Sequence, residues 1–366
     1  MGPRILAVNP GSTSTKTAIF HGENLVAEAE IQHDKEVLAA FAHVLDQKDL
    51  RRDAIETVLQ GHAAWKDGFD AVAGRGGLLA PMPGGVYPVN QAMLDDLRIA
   101  RYGEHPCNLG AFLAAEFGAR FHCPAYIADP PVTDEMEPVT RITGLPEISR
   151  RSVFHALSQR GAARKAARIL GVRYEKENFI VAHLGGGVTI GAHRRGRVAD
   201  VINGVDGEGP FTPERAGGVP LIPVLRLLED GVSDPASLRK RIMTGSGFFA
   251  HLGVNDLRVV EQRILAGDRK AEDLFDAFVY NVAKGVCSMA PILFRGPEAD
   301  RGLRAVILTG GMARSEKLTG EIAAQTSFLA PAIAITGLEE LETLADGARR
   351  VLLGLETASI YGGPGA

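Results

Sequence analysis

The feature that most constrains the fold of this chain is a strand–turn–strand pattern that occurs twice, about 175 residues apart. The first copy covers residues 5–20 around the turn at 9–11, and the second covers residues 179–191 around the turn at 183–187. Short apolar runs on both sides of a turn of small residues predict a β-hairpin. Two similar hairpins at this separation predict two similar halves.

Apolar runs alternate with helical stretches along the rest of the chain. A third apolar run, residues 305–308, also ends in small residues, and a helix is predicted to begin near Met312. Further helices are predicted over residues 36–45, 90–102, 109–117, 154–169, 221–228, 271–290 and 338–357. Strands and helices that are mixed along the chain, with Gly-rich turns at strand ends, predict an α/β fold.

A change in composition indicates where the two halves are joined. The stretch 129–151 contains four prolines and many charged residues, which is typical of a connection between domains. We therefore predict a boundary near residue 150, with an N-terminal domain over residues 1–150 and a second domain over residues 151–344. A C-terminal helix, about 345–366, is expected to rejoin the first domain.

Composition excludes several classes of function. Glycine supplies 43 of the 366 residues, about 12% against a usual share of about 7%, but without a three-residue period, so a collagen-like fibre is excluded. The 40 basic and 44 acidic residues nearly cancel, which leaves no overall field to attract nucleic acid or an anionic membrane. Three cysteines without a CxxC pair favour reduced thiols. We expect a cytoplasmic protein with no nucleic-acid or membrane partner.

The first turn carries the groups that a phosphate site needs. Glycine lets backbone N–H groups approach an anion closely, and hydroxyls and a cation add further donors. The candidate residues are Asn9, Gly11, Ser12, Thr13, Ser14 and Lys16. The loop is not a Walker A loop, because no second glycine precedes the lysine. A β-hairpin with an ordinary polar turn explains the same residues, and the loop alone leaves both interpretations open.

Two further glycine turns favour a nucleotide site. Gly185, Gly186 and Gly187 follow the first strand of the second hairpin, and Gly310 and Gly311 follow the third apolar run. A single triplet also fits a bulged hairpin, but equivalent loops in two halves are expected if two domains hold a nucleotide from both sides. The nearest match to a dinucleotide-binding glycine motif lacks a preceding apolar strand, so a Rossmann site is rejected.

Seven strings along the chain resemble the acetate/butyrate kinase family, which belongs to the acetate and sugar kinase, Hsp70 and actin superfamily. They are ILAVNPGSTSTKTAIF, AVAGRGGLLAPMPGGVYPVN, PAYIADPPVTDEM, SRRSVFHALSQR, VAHLGGGVTIGAH, DGEGPFTPERAGGVP and AVILTGGMA. The strings GRGGLLAPMPGG and DGEGPFTPER resemble the butyrate kinase branch, whereas acetate kinases would be expected to show a HRVVHGG-like string. The resemblance implies an α/β fold of two similar actin-like, ribonuclease H-like domains with a nucleotide cleft between them.

The resemblance also implies a reaction. It is the reversible transfer of the γ-phosphoryl group of ATP to a short-chain carboxylate such as butyrate or isobutyrate, and it requires Mg²⁺. The resemblance further implies a homo-oligomer of at least two chains. The acceptor carboxylate is ionised at neutral pH, so no general base is needed, and catalysis must position two anions and neutralise charge. An acetate or propionate kinase remains an alternative, as does a nucleotide-gated binding protein of the actin or Hsp70 kind.

Four residues match catalytic positions of the family by resemblance. Arg75 and Arg215 would face the substrate carboxylate and the transferred phosphoryl group, which suits the planar guanidinium fork. Asp129 would hold Mg²⁺ or orient Arg75, and His155 would donate a hydrogen bond to a phosphoryl oxygen. The ordinary alternatives are surface arginines, a turn aspartate and a structural histidine.

The same resemblance suggests a metal site, but the chain departs from the family at one position of that site. His183 would begin the second phosphate loop, and Asn9 would contact phosphate or metal-bound water. Acetate kinases carry a magnesium-associated glutamate just after the third glycine turn, where this chain has Arg314. Glu208 is a candidate substitute acid, although a solvated turn acid explains it equally well. The predicted metal site is therefore Asn9, Asp129 and Glu208.

Overall fold

The computed structural model describes residues 2–297, 301–337 and 340–362. The strands are, in chain order, β1 Arg4–Pro10, β2 Ser14–His21, β3 Asn24–Gln32, β4 Ala71–Arg75, β5 Val86–Pro88, β6 Ala125–Ala128, β7 Asn178–Leu184, β8 Val188–Arg194, β9 Arg197–Ile202, β10 Ala305–Thr309 and β11 Ala332–Ile335. The helices are α1 Lys35–Ala39, α2 Lys48–Leu59, α3 Ala63–Lys66, α4 Gln91–Arg98, α5 Leu109–Phe121, α6 Pro138–Arg141, α7 Ala156–Ile169, α8 Leu221–Glu229, α9 Pro235–Thr244, α10 Gly247–Leu252, α11 Leu257–Leu265, α12 Arg269–Ser288, α13 Ala290–Leu293, α14 Glu316–Thr326 and α15 Glu340–Leu352. Mixed strands and helices confirm the predicted α/β class.

Contacts group the described residues into two units. Unit 1 contains residues 2–134 and 340–362, and unit 2 contains residues 135–297 and 301–337. The last helix, α15, therefore packs in unit 1, against β1, β4 and β6. The predicted boundary near residue 150, between two domains that fold independently, stays a prediction.

Unit 1 is built on a mixed sheet with the strand order β3-β2-β1-β4-β6-β5. β1, β4 and β6 are parallel neighbours, so their carboxyl ends meet at one edge of the sheet. The register pairs Arg75 with Ala128, which places Asn9, Arg75 and Asp129 next to one another along that edge. The order of these strands thus brings together residues that are about 120 positions apart in the chain.

Helix α5 packs against β4 with the two backbones in direct contact. A Cβ added to Gly74 would lie 2.1 Å from the carbonyl oxygen of Gly110, so both positions require glycine. The core around this contact includes Val8 of β1, Ile55 of α2 and Phe117 of α5, all of them buried. Arg75 follows Gly74 directly, and this close packing fixes the backbone that carries it.

Unit 2 is built on a second mixed sheet with the order β11-β10-β7-β8-β9. β7, β10 and β11 are parallel, and Thr309 at the end of β10 lies opposite His183 near the end of β7. Gly310 follows with φ +93°, and a Cβ there would lie 2.4 Å from the carbonyl oxygen of Leu184. Only glycine fits at this position, and the close approach keeps the third glycine turn next to the second glycine loop.

The two predicted hairpins are confirmed. β1 and β2 pair antiparallel with Pro10 opposite Thr15, and β7 and β8 pair antiparallel with Leu184 opposite Val188. Five of the predicted helices are confirmed with shifted ends, namely those that correspond to α4, α5, α7, α8 and α12. These are the segments in which an apolar stripe and helix-favouring residues agree.

Three helix predictions differ from the structure. The helix over residues 36–45 is wrong beyond Ala39, because the Asp46 side chain accepts from the N–H of His43 and begins a separate turn. The helix expected near Met312 begins only at Glu316, after a 3₁₀ turn. The last helix ends at Leu352 rather than residue 357, and residues 338 and 339 of that prediction lie outside the described residues.

The helices of the described chain are all too short or too polar to cross a membrane.

Candidate active site

A cavity of about 440 Å³ lies where the parallel strands of unit 1 end. It is lined by Asn9, Pro10, Gly11, Ser12, Ser14, Lys16, Arg75, Leu78, His105, Cys107, Pro131 and Glu340. The structure therefore places Asn9, most of the first loop and Arg75 around one space. Thr13 is exposed at the tip of the loop and does not line the cavity.

Glu340 is the central carboxylate of this cavity. One of its oxygens forms an ion pair with Nη1 of Arg75, and the other accepts a hydrogen bond of 2.6 Å from Nδ2 of Asn9. The sequence prediction missed this residue, because it lies 265 positions after Arg75 in a helix with no recognisable motif. Its place at the start of α15, which packs on the strands that carry Asn9 and Arg75, is a tertiary feature.

Asp129 lies at the same sheet edge and is buried. Its backbone has φ +39°, which is uncommon for a residue other than glycine, and its Oδ1 accepts from the N–H of Gly85 at 2.8 Å. The guanidinium of Arg350 on α15 interacts with it electrostatically. Asp129 does not line the cavity, although Pro131 just after it does. The strained backbone shows that the surrounding contacts define this position closely.

His105 and Cys107 line the cavity beside Arg75 and were not predicted from the sequence. Nδ1 of His105 is 3.0 Å from the Cys107 sulfur and accepts from the backbone N–H of Cys107 at 3.2 Å. Burial, and then the charge of Arg75, lower the pKa of His105. Burial raises the pKa of the Cys107 thiol to about 11. The imidazole is therefore neutral with its proton on Nε2, and the thiol is protonated at neutral pH.

The second group of predicted residues meets in unit 2. The rings of His155 and His183 stack with centroids 3.9 Å apart and planes 14° from parallel. A Cβ on Gly187 would lie 3.0 Å from Nη1 of Arg215 and 3.5 Å from Cε1 of His155. Arg215 also donates from Nη1 to the carbonyl oxygen of Gly204 at 2.6 Å. Two histidines, an arginine and the end of the glycine loop thus form one cluster.

A chain of hydrogen bonds leads from the core of unit 2 to His155. Tyr174 contacts Nδ1 of the buried His193 at 2.8 Å, and Nε2 of His193 is 3.2 Å from Oε1 of Gln159. The amide of Gln159 donates to the carbonyl and hydroxyl oxygens of Thr189, and that hydroxyl is 2.8 Å from Nδ1 of His155. Because the carbonyl can only accept, it fixes the orientation of the amide. The Thr189 hydroxyl oxygen accepts from that amide and, at 3.4 Å, from the backbone N–H of His155, so its own proton donates to Nδ1 of His155. His155 then carries its own proton on Nε2.

A second cavity, of about 600 Å³, lies beside the glycine loops of unit 2. Its lining residues are Gly185, Gly186, Pro213, Asn255, Asp256, Leu257, Arg258, Glu261, Gly311, Met312, Arg314 and Ser315. Its size falls within the usual range for small-molecule sites. The stretch at the start of α11 was not predicted as part of a site, because its residues follow no nucleotide-binding motif and reach the loops only through the fold.

Glu208, predicted as a substitute metal ligand, also lies in unit 2. Arg150 donates to both of its oxygens, at 3.1 and 2.9 Å, and the N–H of Asn203 donates to one of them at 3.2 Å. These bonds engage the carboxylate in a structural network. Within the described residues, no group of three or more His, Cys, Asp or Glu side chains is placed to hold a metal ion.

Comparison with known proteins identifies close relatives. The model of the acetokinase family matches residues 146–333. A probable butyrate kinase of Maridesulfovibrio salexigens is 50% identical over 97% of each chain, and one of Oleidesulfovibrio alaskensis is 50% identical over 98% of each chain. The crystal structure of Porphyromonas gingivalis acetate kinase has a TM-score of 0.75 at 20% identity, and covers 96% of this chain and 100% of its own. That likeness confirms the predicted actin-like fold.

Proposed function

The chain belongs to the acetokinase family, and from this premise we propose that it is a short-chain carboxylate kinase that converts ATP and butyrate, or a branched acid such as isobutyrate, to ADP and an acyl phosphate. The cluster of Asn9, Arg75 and Glu340 carries the proposal, because it combines oxygen donors for a divalent cation with a guanidinium that pairs with a carboxylate. The choice of butyrate in this proposal comes from the relatives, which are named probable butyrate kinases.

The acceptor acid is assigned to the cavity of unit 1. Nη1 of Arg75 pairs with one carboxylate oxygen of Glu340 in this structure, and a substrate carboxylate offers an oxygen of the same charge to the same guanidinium. Leu78, Cys107 and Pro131 provide apolar surface for a short acyl chain. Each methylene in such a pocket changes the binding free energy by about 1–3 kcal/mol, so an acid panel rather than inspection must rank the acids.

The residues of this cavity also suit Mg²⁺. Mg²⁺ prefers oxygen ligands and binds through one or two carboxylates together with phosphates and water. The carboxylate of Glu340 and the amide oxygen of Asn9 belong to side chains that already contact each other at 2.6 Å, and they would hold the ion. When bound, Mg²⁺ supplies positive charge that neutralises phosphoryl oxygens. Asp129, which does not line the cavity, stays a proposed ligand that holds the ion directly or through water. Glu208 is a second candidate, and Arg150 donates to both of its oxygens.

The nucleotide is assigned to unit 2. Gly185, Gly186 and Gly311 line the 600 Å³ cavity, and backbone N–H groups of such turns are suited to bind phosphates. Arg215 and the Nε2–H of His155 are the donors that we assign to the charge that develops on the transferred phosphoryl group, and His183 supports His155 by stacking. The carboxylate attacks as the ionised form, so none of these residues acts as a general base.

A trapping assay tests the proposal directly. The protein is incubated with ATP, Mg²⁺, hydroxylamine and one acid from a panel of acetate, propionate, butyrate, isobutyrate and valerate, and the acyl hydroxamate is measured. We expect hydroxamate with butyrate or isobutyrate as the best substrate, and none without ATP. ADP formation without any hydroxamate would contradict the carboxylate kinase function, and a preference for acetate would contradict the proposed acyl chain.

Thr189 is predicted to position His155 for this reaction. In Thr189→Val the donor to Nδ1 of His155 is lost, and the proton on Nε2 is no longer fixed. We expect kcat to fall about ten-fold or more, because the donor that we assign to the transferred phosphoryl group is no longer held in place. The matched control is Thr326→Val, which removes a buried hydroxyl bonded to the Ile322 carbonyl oxygen. Equal kcat values for the two variants would contradict the prediction.

We further propose that the enzyme acts in the cytoplasm as a homo-oligomer. Its assigned substrate is ATP, and Cys107, Cys123 and Cys287 are free thiols in the described chain, which fits a reducing compartment. Light scattering of the purified protein tests the oligomeric state, and the mass of a single chain would contradict it.

A further inference from the structure

Arg51 on α2 is a fully buried cation beneath the first loop. Its side chain is among the largest with essentially no exposure to solvent. Nη1 donates to the carbonyl oxygens of Gly11 and Ser14 at 2.9 and 3.0 Å, and Nη2 donates to that of Ser12 at 3.4 Å. It also contacts the hydroxyl of Thr15 at 3.1 Å. One guanidinium thus binds three carbonyl groups of the loop that lines the unit 1 cavity.

These bonds determine the direction of the loop's N–H groups. In a trans peptide the C=O and the N–H point to opposite sides. Because Arg51 holds the carbonyls of Gly11 and Ser12, the N–H groups of Ser12 and Thr13 point away from it. Within the described part of the chain, neither of these two N–H groups donates to a protein acceptor. Two oriented donors are therefore available at the loop for an anion.

The charge of Arg51 is not balanced by a carboxylate among the described residues. Its remaining side-chain partner is the neutral Gln47, whose Oε1 accepts at 3.0 Å. Its neighbour on the same helix, Arg52, pairs with Asp53 and Glu116. A buried cation without a counter-ion is costly, unless a ligand supplies the negative charge.

His33 does not compensate for this charge. It contacts the hydroxyl of Thr15 at 2.8 Å, and burial followed by the charge of Arg51 lowers its pKa. The imidazole is therefore neutral at pH 7 and adds no charge to the site. Burial also lowers the pKa of Arg51, but guanidinium groups stay protonated in proteins.

We propose that Arg51 is a positioning residue that turns the N–H groups of Ser12 and Thr13 to the side of the first loop opposite itself, where an anion can accept from them, and that it lends its uncompensated charge to the phosphoryl group of the acyl phosphate. This inference rests on the proposed function for the identity of the ligand. The physical basis is twofold, since the hydrogen bonds set the geometry and the buried charge attracts a group that carries about two negative charges at neutral pH.

Two variants separate the geometry from the charge. Arg51→Met removes both, whereas Gln47→Glu places a carboxylate beside Arg51 and cancels its charge without removing its bonds to the loop. Arg52→Met is the matched control on the same helix. The probes are butyryl phosphate, butyrate and inorganic phosphate, each titrated calorimetrically into the protein with Mg²⁺ and without nucleotide.

We expect both variants to lose affinity for butyryl phosphate by about ten-fold or more, with the affinity for butyrate changed less than about two-fold and the control unchanged. A Gln47→Glu protein that binds butyryl phosphate like the parent would overturn the proposal, even if Arg51→Met fails to fold. Equal losses for butyrate and butyryl phosphate would overturn it as well, because they would indicate general damage to the cavity.

The same titrations distinguish this inference from the proposed function. If the parent protein forms no acyl hydroxamate with any acid, the carboxylate kinase function fails. The role of Arg51 in binding anions is then tested by the titration with inorganic phosphate alone. A ten-fold or larger loss of phosphate affinity in both variants would support it, and equal affinities in parent and variants would overturn it.

Discussion

Glu340→Gln is expected to lower kcat for butyrate phosphorylation by about 100-fold or more, and to raise the Mg²⁺ concentration that gives half of the maximal rate. The amide keeps an oxygen that accepts from Asn9, but it has no negative charge for the metal or for Arg75. Removing one charged ligand therefore weakens the metal site and leaves the arginine without its partner. The rate is measured with the hydroxamate assay over a series of Mg²⁺ concentrations.

The matched control for this variant is Glu342→Gln, which makes the same chemical change on the same helix outside the cavity lining. We expect its rate and its Mg²⁺ dependence to equal those of the parent. If Glu340→Gln keeps the parent's Mg²⁺ dependence while kcat falls, Glu340 orients Arg75 and does not hold the metal. If neither quantity changes, the assignment of the unit 1 cavity as the active site is wrong.

Arg75→Ala is expected to lower kcat/KM for butyrate by about 1,000-fold. The guanidinium is the charged group that we assign to the carboxylate, and its loss leaves two anions to approach each other without a counter-charge. The KM for butyrate should rise strongly, whereas the affinity for ADP should stay within about two-fold, because the nucleotide is assigned to residues of unit 2. Steady-state kinetics with each substrate varied in turn give both values.

Arg98→Ala is the control for this substitution. That arginine is half-exposed and pairs with Asp95 on the surface of unit 1, so its removal should change neither constant. An Arg75→Ala protein with full ATP-dependent activity on butyrate would remove the carboxylate assignment. A loss of ADP affinity as large as the loss of butyrate affinity would instead show that Arg75 supports the fold of the whole protein.

The hairpins and the candidate site residues at strand ends could be predicted from the sequence, because their signals are local. An apolar run followed by small polar residues marks the end of a strand wherever it occurs, which located Asn9, His183 and Gly310. Arg75 and Asp129 were found through motifs that resemble a known family. Their strands prove to be parallel neighbours, so these residues share one edge of a sheet.

Other residues of the site were inaccessible because their signals are not local. Glu340 stands in an ordinary amphipathic helix, and nothing in residues near it indicates that it faces Asn9 and Arg75. Arg51 has the sequence environment of a surface helix and is nevertheless fully buried. The helix that carries it was absent from the predicted elements. Its neighbour Arg52 forms ion pairs with Asp53 and Glu116, which is the kind of contact that the sequence suggests for Arg51 as well.

The sequence by itself thus determined the class of the fold, the turns that approach anions and the family to which the chain belongs, because each depends on short strings of adjacent residues. The tertiary structure decided which carboxylate completes the cavity of unit 1, which ring nitrogen of His155 carries the proton and where the charge of Arg51 is buried. Those features depend on contacts between residues as far as 331 positions apart, as for Asn9 and Glu340. Only the packing of helices on the sheet brings such residues within hydrogen-bond distance.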